Sequence, residues 1–497
     1  MGIVAMSFGL ALLTSFLTES KDLTGPELFP HLETATPTSD DEWVQLIRIG
    51  YLYPNDLSRI DCRAIVKEFF AIELPDQLKA ELNKQANIQP LYRALRIGNY
   101  DKSVKALERI PAESRYRDEL LGDLHFIHNN YVRALHHYRA EFEQHPKSIY
   151  SRRSAVIAAW READRETVQA LLSDAETRSC FGDAELLDIF ADTRDYPGLA
   201  LAVVSATISA LMNASSTIPF ALSAAIWFLI LTAFWQFNRA RAIAGLFAFG
   251  IGLFSSICVF YAVYLQERIY GFTLNPEDTP LSQFIYWVAG VGLREETLKL
   301  LCFIPLGIWI ARRNSKVEAL VLAGITGLGF AFAENCVSYQ TSSFSTGTWS
   351  RFLTANAIHI SLTGILGFYF CKMLMQKFRG WEEFLASFIA VVAAHGIYDA
   401  TIAMPSLSEY AILSPILVAL IAYQYFDPLR SVLDSYSIHK RASPLGVFVL
   451  GSVALTCIAL ISSSSMMPLR IAVGVFAASI GGMIPLAFAY ISRFRDL

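Results

Sequence analysis

QFIYWVAGVGLREETLKLLCFIPLGIWI, residues 283–310, is where the reading of this chain begins. The run is apolar for long enough to cross a bilayer, which takes roughly 20 helical residues. Yet Arg294, Glu295, Glu296 and Lys299 stand in its middle. On insertion scales a charge near the centre of a membrane helix costs roughly 2.5–3.5 kcal/mol, so these residues require partners. Glu295 and Lys299 are four apart and share one helical face, with the acid N-terminal to the base as the favourable pairing requires. Glu296 is turned about 100° away. A plain ion pair between two helices uses one acid and one base and leaves the second glutamate unexplained.

Similar runs fill the chain from about residue 218 to its end, divided by short polar loops. Nine are read, at 218–236, 242–265, 283–310, 318–339, 352–376, 384–404, 409–427, 445–463 and 470–492. Composition agrees: 54% of the 497 residues are hydrophobic and 17% charged, against roughly a quarter charged in a soluble protein. The expected fold class is all-α: a polytopic transmembrane helical bundle of about nine spans over 215–497, preceded by an α-solenoid-like domain over 21–214. Basic residues sort onto alternate loops, at Arg239 and Arg241, Arg312, Arg313 and Lys316, Lys372, Lys377 and Arg379, Lys440 and Arg441, and Arg493 and Arg495. Those loops should be cytoplasmic. Nine crossings then leave the N-terminal domain outside; if the apolar stretch 199–212 is a tenth crossing, the domain returns to the cytoplasm.

Residues 1–20 form an apolar segment that reads as a signal or an anchor. A formal net charge of -4 with no basic stripe excludes nucleic acid as a partner. The seven cysteines are scattered without a C-x-x-C pair, which argues against a disulfide framework or a thiolate zinc site.

The first 200 residues carry a weak repeat. Helical patterns open at Tyr100, Tyr131, Asp164 and Tyr196. Apolar residues follow four and seven places on: Val104 and Leu107, Leu135 and Tyr138, Val168 and Leu171, Ala200 and Val203. Upstream clusters around Leu91, Leu121, Val156 and Leu186 supply partner helices. A period near that of tetratricopeptide repeats predicts stacked helix hairpins, each burying its apolar face against its neighbours. The Trp and Pro positions of that repeat are irregular here, and an unrelated helical bundle stays open. A solenoid would offer a concave face to a protein partner.

Polar residues recur inside the fourth, fifth and sixth runs. The fourth holds small residues from Gly327 to Ala333, which let a neighbouring helix approach, and then Glu334 and Asn335. The fifth holds His359, with Asn356 one turn before it. In the sixth, His395 and Asp399 are one turn apart with Tyr398 between, a spacing by which a carboxylate orients an imidazole or both reach one metal. At about 1.5 Å per residue from the run ends, Glu295, Glu334, His359 and His395 fall in one layer of the outer half of the membrane. The pair Glu382 and Glu383, beside Arg379 at a cytoplasmic boundary, reads as merely solvated.

The succession E-E-x-x-K, G-F-A-x-x-E-N, an intramembrane histidine and H-x-x-x-D resembles the PrsW family of intramembrane proteases over residues 284–401. That resemblance implies a relation to type II CAAX prenyl endopeptidases, a catalytic core at 283–404, and residence in the lipid bilayer of the bacterial inner membrane. It also implies a membrane-protein or peptide substrate. Glu295 and Glu296 become the leading catalytic positions, with Lys299 neutralising the pair. Glu334, His359, His395 and Asp399 become candidates for holding a divalent metal such as Zn2+, supported by Asn335, Asn356 and Tyr398. Two histidines and a carboxylate match the recipe for a catalytic zinc with one open position. A metal-free site, in which a glutamate activates water and histidines bind the oxyanion, is the other form of the same chemistry. A transporter or channel would use similar intramembrane polar residues, and a scaffold without activity is the third reading.

Overall fold

Helix hairpins in the first part of the chain begin at turns of one repeated design. The structure is a computed structural model and describes residues 37, 39–51, 80–235, 238–275, 277–341, 346–410, 413–434, 443–465 and 469–496. Among these, regular structure is entirely helical. The apolar segment 1–20 and the loop residues Lys440 and Arg441 lie outside the described residues. The chain divides into two compact units that part between Gly198 and Leu199.

The first unit contains α1 (Asp40–Tyr51) and the hairpins α2 (Gln89–Leu95) with α3 (Tyr100–Glu108), α4 (Arg117–Ile127) with α5 (Tyr131–Gln144), and α6 (Ile149–Arg161) with α7 (Arg165–Ser173). After the short α8 (Ala175–Ser179) comes α9 (Asp183–Asp192), and then α10 (Tyr196–Met212), whose first residues close this unit and whose remainder, from Leu199, belongs to the second. Gly98, Asn129, Ala163 and Arg194 are left-handed, with φ of 67°, 59°, 61° and 56°. Each is followed by Asn99, Asn130, Asp164 or Asp195, whose side chain accepts a backbone N–H three residues on. A left-handed residue ends the first helix and an Asn or Asp starts the second. Asp164 is therefore a cap, and α7 begins one residue later. Leu107, Tyr138, Val168 and Val203 are buried as their spacing requires, whereas Ala200 is exposed and Leu199 and Ala202 fill the interior in its place.

The second unit runs through α11 (Ala214–Thr232), α12 (Arg239–Tyr264) with a π-helical extension (Leu265–Ile269), and α13 (Pro280–Ile285). A π-helical stretch (Tyr286–Gly292) leads into α14 (Leu293–Arg313), then α15 (Lys316–Thr341), α16 (Thr346–Met375) and α17 (Trp381–Ala403). α18 (Leu413–Asp434), α19 (Pro444–Ser464) and α20 (Leu469–Phe494) complete it. Among the described residues, six helices are long and apolar enough to cross a membrane: α12 and α15 to α19. A seventh is reached if Tyr196–Met212 and Thr217–Thr232, which meet at 86°, are one broken span. The nine-span reading adds α11, the α13–α14 run with its four charges, and α20.

Glycine brings the central helices together. A Cβ on Gly329 would stand 2.1 Å from the carbonyl oxygen of Phe249, and one on Gly252 would stand 2.0 Å from that of Thr326, so α12 and α15 touch backbone to backbone. Gly327 meets the His359 carbonyl in the same way, drawing α16 onto α15. Where the π-helical stretch ends, a Cβ on Gly292 would lie 2.5 Å from the Val392 carbonyl oxygen, and one on Gly396 would lie 2.4 Å from Cα of Val288. The first turn of α14 is thereby pressed against α17 beside His395.

Overpacking a close-packed interior costs about 1–3 kcal/mol. Gly329→Val is expected to lower the melting temperature of the detergent-solubilised protein clearly. Gly250→Ala, on a position with nothing within 4 Å, should leave it unchanged. Scanning fluorimetry on both variants decides, and equal melting would refute the backbone contact.

Candidate active site

Four consecutive helices bring their ionisable residues to one buried place. α14 contributes Glu295, Glu296 and Lys299, all less than a tenth exposed. Three and four residues along one helix set the spacing, so Lys299 reaches back over both glutamates. Its Nζ donates to Glu296 Oε1 at 2.9 Å and to Glu295 Oε2 at 3.2 Å. The same ammonium lies 3.1 Å from Nδ1 of His359 on α16, and 3.7 Å from the centre of the Phe330 ring on α15. An ammonium has no lone pair, so Nδ1 of His359 is the acceptor and the imidazole proton sits on Nε2. That Nε2 is 2.8 Å from Glu334 Oε2.

From α17, His395 places Nδ1 2.7 Å from Glu296 Oε1. Its Nε2 is 3.3 Å from Asp399 Oδ2 and 3.6 Å from Glu295 Oε2. The two imidazoles stand edge to face, with ring centres 5.3 Å apart. Glu296 Oε2 is buried and has no hydrogen-bond partner among the described residues.

All seven residues read as catalytic or metal-holding thus meet in one network. Glu295, His359 and His395 form a three-residue donor group, with one ligand atom from each within 4.8 Å of the others. Glu334 and Asp399 face Nε2 of the two imidazoles, so each histidine has its own carboxylate. Two imidazoles and up to three carboxylates are a donor set suited to a zinc-like divalent ion.

The three supporting residues stand aside. Asn335 donates to Asn356 Oδ1 at 3.4 Å, and Asn356 donates to Ser223 Oγ on α11 at 2.9 Å. Tyr398 turns its hydroxyl to Thr354, 3.4 Å away. Arg294 points out of the cluster, and its Nη1 donates to Gln266 Oε1 at 2.8 Å. Glu382 and Glu383 are exposed, and Glu383 pairs with Lys372 at 2.5 Å. Phe330 and Ser223 were not singled out by the sequence. An apolar ring in a glycine-rich helix and a serine 133 residues before its partner carry no signal of their roles.

Residues 240–424 match the family model described as PrsW family intramembrane metalloprotease. No curated protein and no solved structure matches the chain. The matched segment contains every residue of the cluster, and residues 284–401 fall inside it. With its apolar helices, the chain is an integral membrane protein.

Removing one partner of a buried ionic group costs about 3–5 kcal/mol, whereas replacing a matched set is nearly neutral. Lys299→Met is therefore expected to destabilise the protein strongly. Adding Glu295→Gln and Glu296→Gln to it should restore much of the loss. Thermal unfolding of the single, double and triple variants in detergent measures the coupling, and strictly additive losses would contradict the network.

Proposed function

We propose that this chain is an intramembrane peptidase that hydrolyses peptide bonds of membrane-associated protein substrates at the cluster on α14 to α17. The observation that carries the reading is the convergence of buried Glu295, Glu296, Lys299, His359 and His395 with half-buried Glu334 and Asp399 at one site. The match over residues 240–424 supports it.

Hydrolysis needs a water stripped of a proton, a group to offset the oxyanion, and an acid for the leaving nitrogen. Glu296 is the proton acceptor of choice, because Oε2 lacks a partner while Oε1 is held by Lys299 and by Nδ1 of His395. The same carboxyl then returns the proton to the leaving amine. Lys299 spends its three N–H groups on Glu295, Glu296 and His359, so it neutralises the glutamate pair and is not the base. Glu295, His359 and His395 are the residues that would hold a divalent ion, His359 through Nδ1 in exchange for its contact with Lys299, with Glu334 and Asp399 orienting the imidazoles. When bound, such an ion supplies Lewis-acid polarisation of the scissile carbonyl and a lowered pKa for water. Burial excludes bulk water, which strengthens every charge interaction the site makes.

The reading includes residence in the bacterial plasma membrane with the basic helix ends on the cytoplasmic side. The hairpins of the first unit are read as tetratricopeptide-like and as a surface for a protein partner.

Loss of a general base typically costs 10²–10⁴-fold in rate. Glu296→Gln is expected to lower peptide release from membrane-protein substrates in proteoliposomes by that order while retaining bound metal. Glu295→Gln and His395→Ala should lose both activity and metal. Asp399→Asn should weaken metal affinity by about 10–100-fold. Peptide release followed by mass spectrometry, with metal analysis on the same samples, separates these outcomes. Undiminished cleavage by all three first variants would sink the assignment.

A further inference from the structure

In the first unit, α1 stands outside the succession of hairpins and lies across it. Its polar contacts run to Asn87, Arg115, Tyr116, Glu119, Asp123 and Tyr150, before or within α2, α4 and α6, the first helices of three successive pairs. Trp43, Val44 and Ile47 form its apolar face and are at most 1% exposed, packed in one cluster with Leu91, Tyr92, Leu120, Leu121 and Leu124.

Arg48 ends that face in a socket. Its guanidinium binds Glu119 and, through Nε at 2.7 Å, Asp123, and it lies 3.6 Å over the Tyr150 ring. The hairpins build this socket by themselves. Glu119 Oε2 accepts from the Ser148 and Ser151 hydroxyls at 2.8 and 2.7 Å. Asp123 Oδ1 accepts from Tyr138 and Tyr150 hydroxyls at 2.7 Å each. Each carboxylate therefore has one oxygen tied back by two hydroxyls and turns the other to the guanidinium. Burial drives the Asp123 carboxyl above its usual range even with Arg48 beside it. Two buried carboxylates side by side need a matching charge, and their two inward oxygens suit the fork of a planar cation.

We propose that this socket and the apolar strip beside it are a docking site for an arginine-bearing amphipathic helix of a partner protein, and that Asp40–Tyr51 occupies it in cis. An incoming helix must present an apolar face one turn ahead of an arginine, as Trp43, Val44, Ile47 and Arg48 do. Lysine would serve poorly, because a point charge does not reproduce the fork or the stacking on Tyr150. The proposal does not depend on the peptidase reading.

The test uses the full chain in nanodiscs and a fluorescein-labelled peptide of sequence DDEWVQLIRIGY, residues 40–51. The peptide is expected to bind at least about tenfold more tightly to a chain carrying Trp43→Ala and Arg48→Ala, whose cis helix is weakened, than to the unaltered chain. Binding should fall by about tenfold with lysine in place of the peptide's arginine and vanish with alanine. It should also vanish when Glu119→Gln and Asp123→Asn are added to the weakened chain. Binding that ignores the peptide's arginine, or no binding to a weakened chain that keeps its circular dichroism, would overturn the proposal. If the weakened chain loses helicity, amide exchange of residues 40–51 in the unaltered chain gives the answer. Saturating peptide should speed that exchange, and unchanged exchange overturns the docking site.

Discussion

The ammonium of Lys299 is the interaction around which the membrane unit is organised. A fully buried lysine is tolerable only where its charge is matched and its three N–H groups are satisfied. Here two glutamates on its own helix and an imidazole from another do both, with an aromatic face alongside. The arrangement also fixes its neighbours. It reaches both Glu295 and Glu296 and so offsets two acids with one cation. It sets the tautomer of His359, which aims an N–H at Glu334. Half of the site's geometry follows from one cation.

Such a network forms only if the helices carrying it come close, and lipid gives apolar side chains no reason to prefer one another over acyl chains. Close packing and backbone contact substitute. Gly252, Gly327 and Gly329 let α12, α15 and α16 meet without intervening side chains. Gly292 and Gly396 do the same for α14 and α17 at the level of His395. The π-helical stretch at Tyr286–Gly292 is under-wound, a form that recurs inside helices at functional sites, and it ends where the glutamate pair begins. Packing and chemistry are therefore specified by residues only a few positions apart in sequence.

Much of this was legible from the chain alone, for a physical reason. Charges in apolar runs are expensive, so Glu295, Lys299, Glu334, His359 and His395 stand out against their surroundings. Helical spacing, which is rigid, paired Lys299 with Glu295, while its bond to Glu296, turned about 100° from that face, emerged only in the structure. What spacing could not give is which carboxylate joins the histidines, because that depends on rotamers and on the rotation of separate helices. Glu334 and Asp399 were the expected ligands beside the histidines; Glu295 sits in the three-residue donor group and the other two each face an imidazole. Phe330 and Ser223 were silent because their roles exist only across helices. In the first unit the second helices were readable from their apolar spacing, while the Asn and Asp caps before them and the position of α1 were not, since Arg48 meets partners 71 and 75 residues away.

Both units bury a cation against two acids, and the difference between the two arrangements has consequences. Lys299 and its glutamates lie three and four residues apart on one helix, so the charges are matched as soon as α14 forms, and nothing from outside the helix can replace the lysine. Arg48 instead reaches from α1 to acids on α4, whose remaining lone pairs are already satisfied by hydroxyls of α5 and α6 and the residue capping α6. The acids of the receptor are held by groups other than the helix that fills it. A buried pair whose members belong to one helix is a permanent part of the fold. One whose receptor is preorganised independently of its cation is, in chemical terms, a binding site with its ligand in place, and the strength of the pair then sets a threshold for exchange rather than a barrier to it.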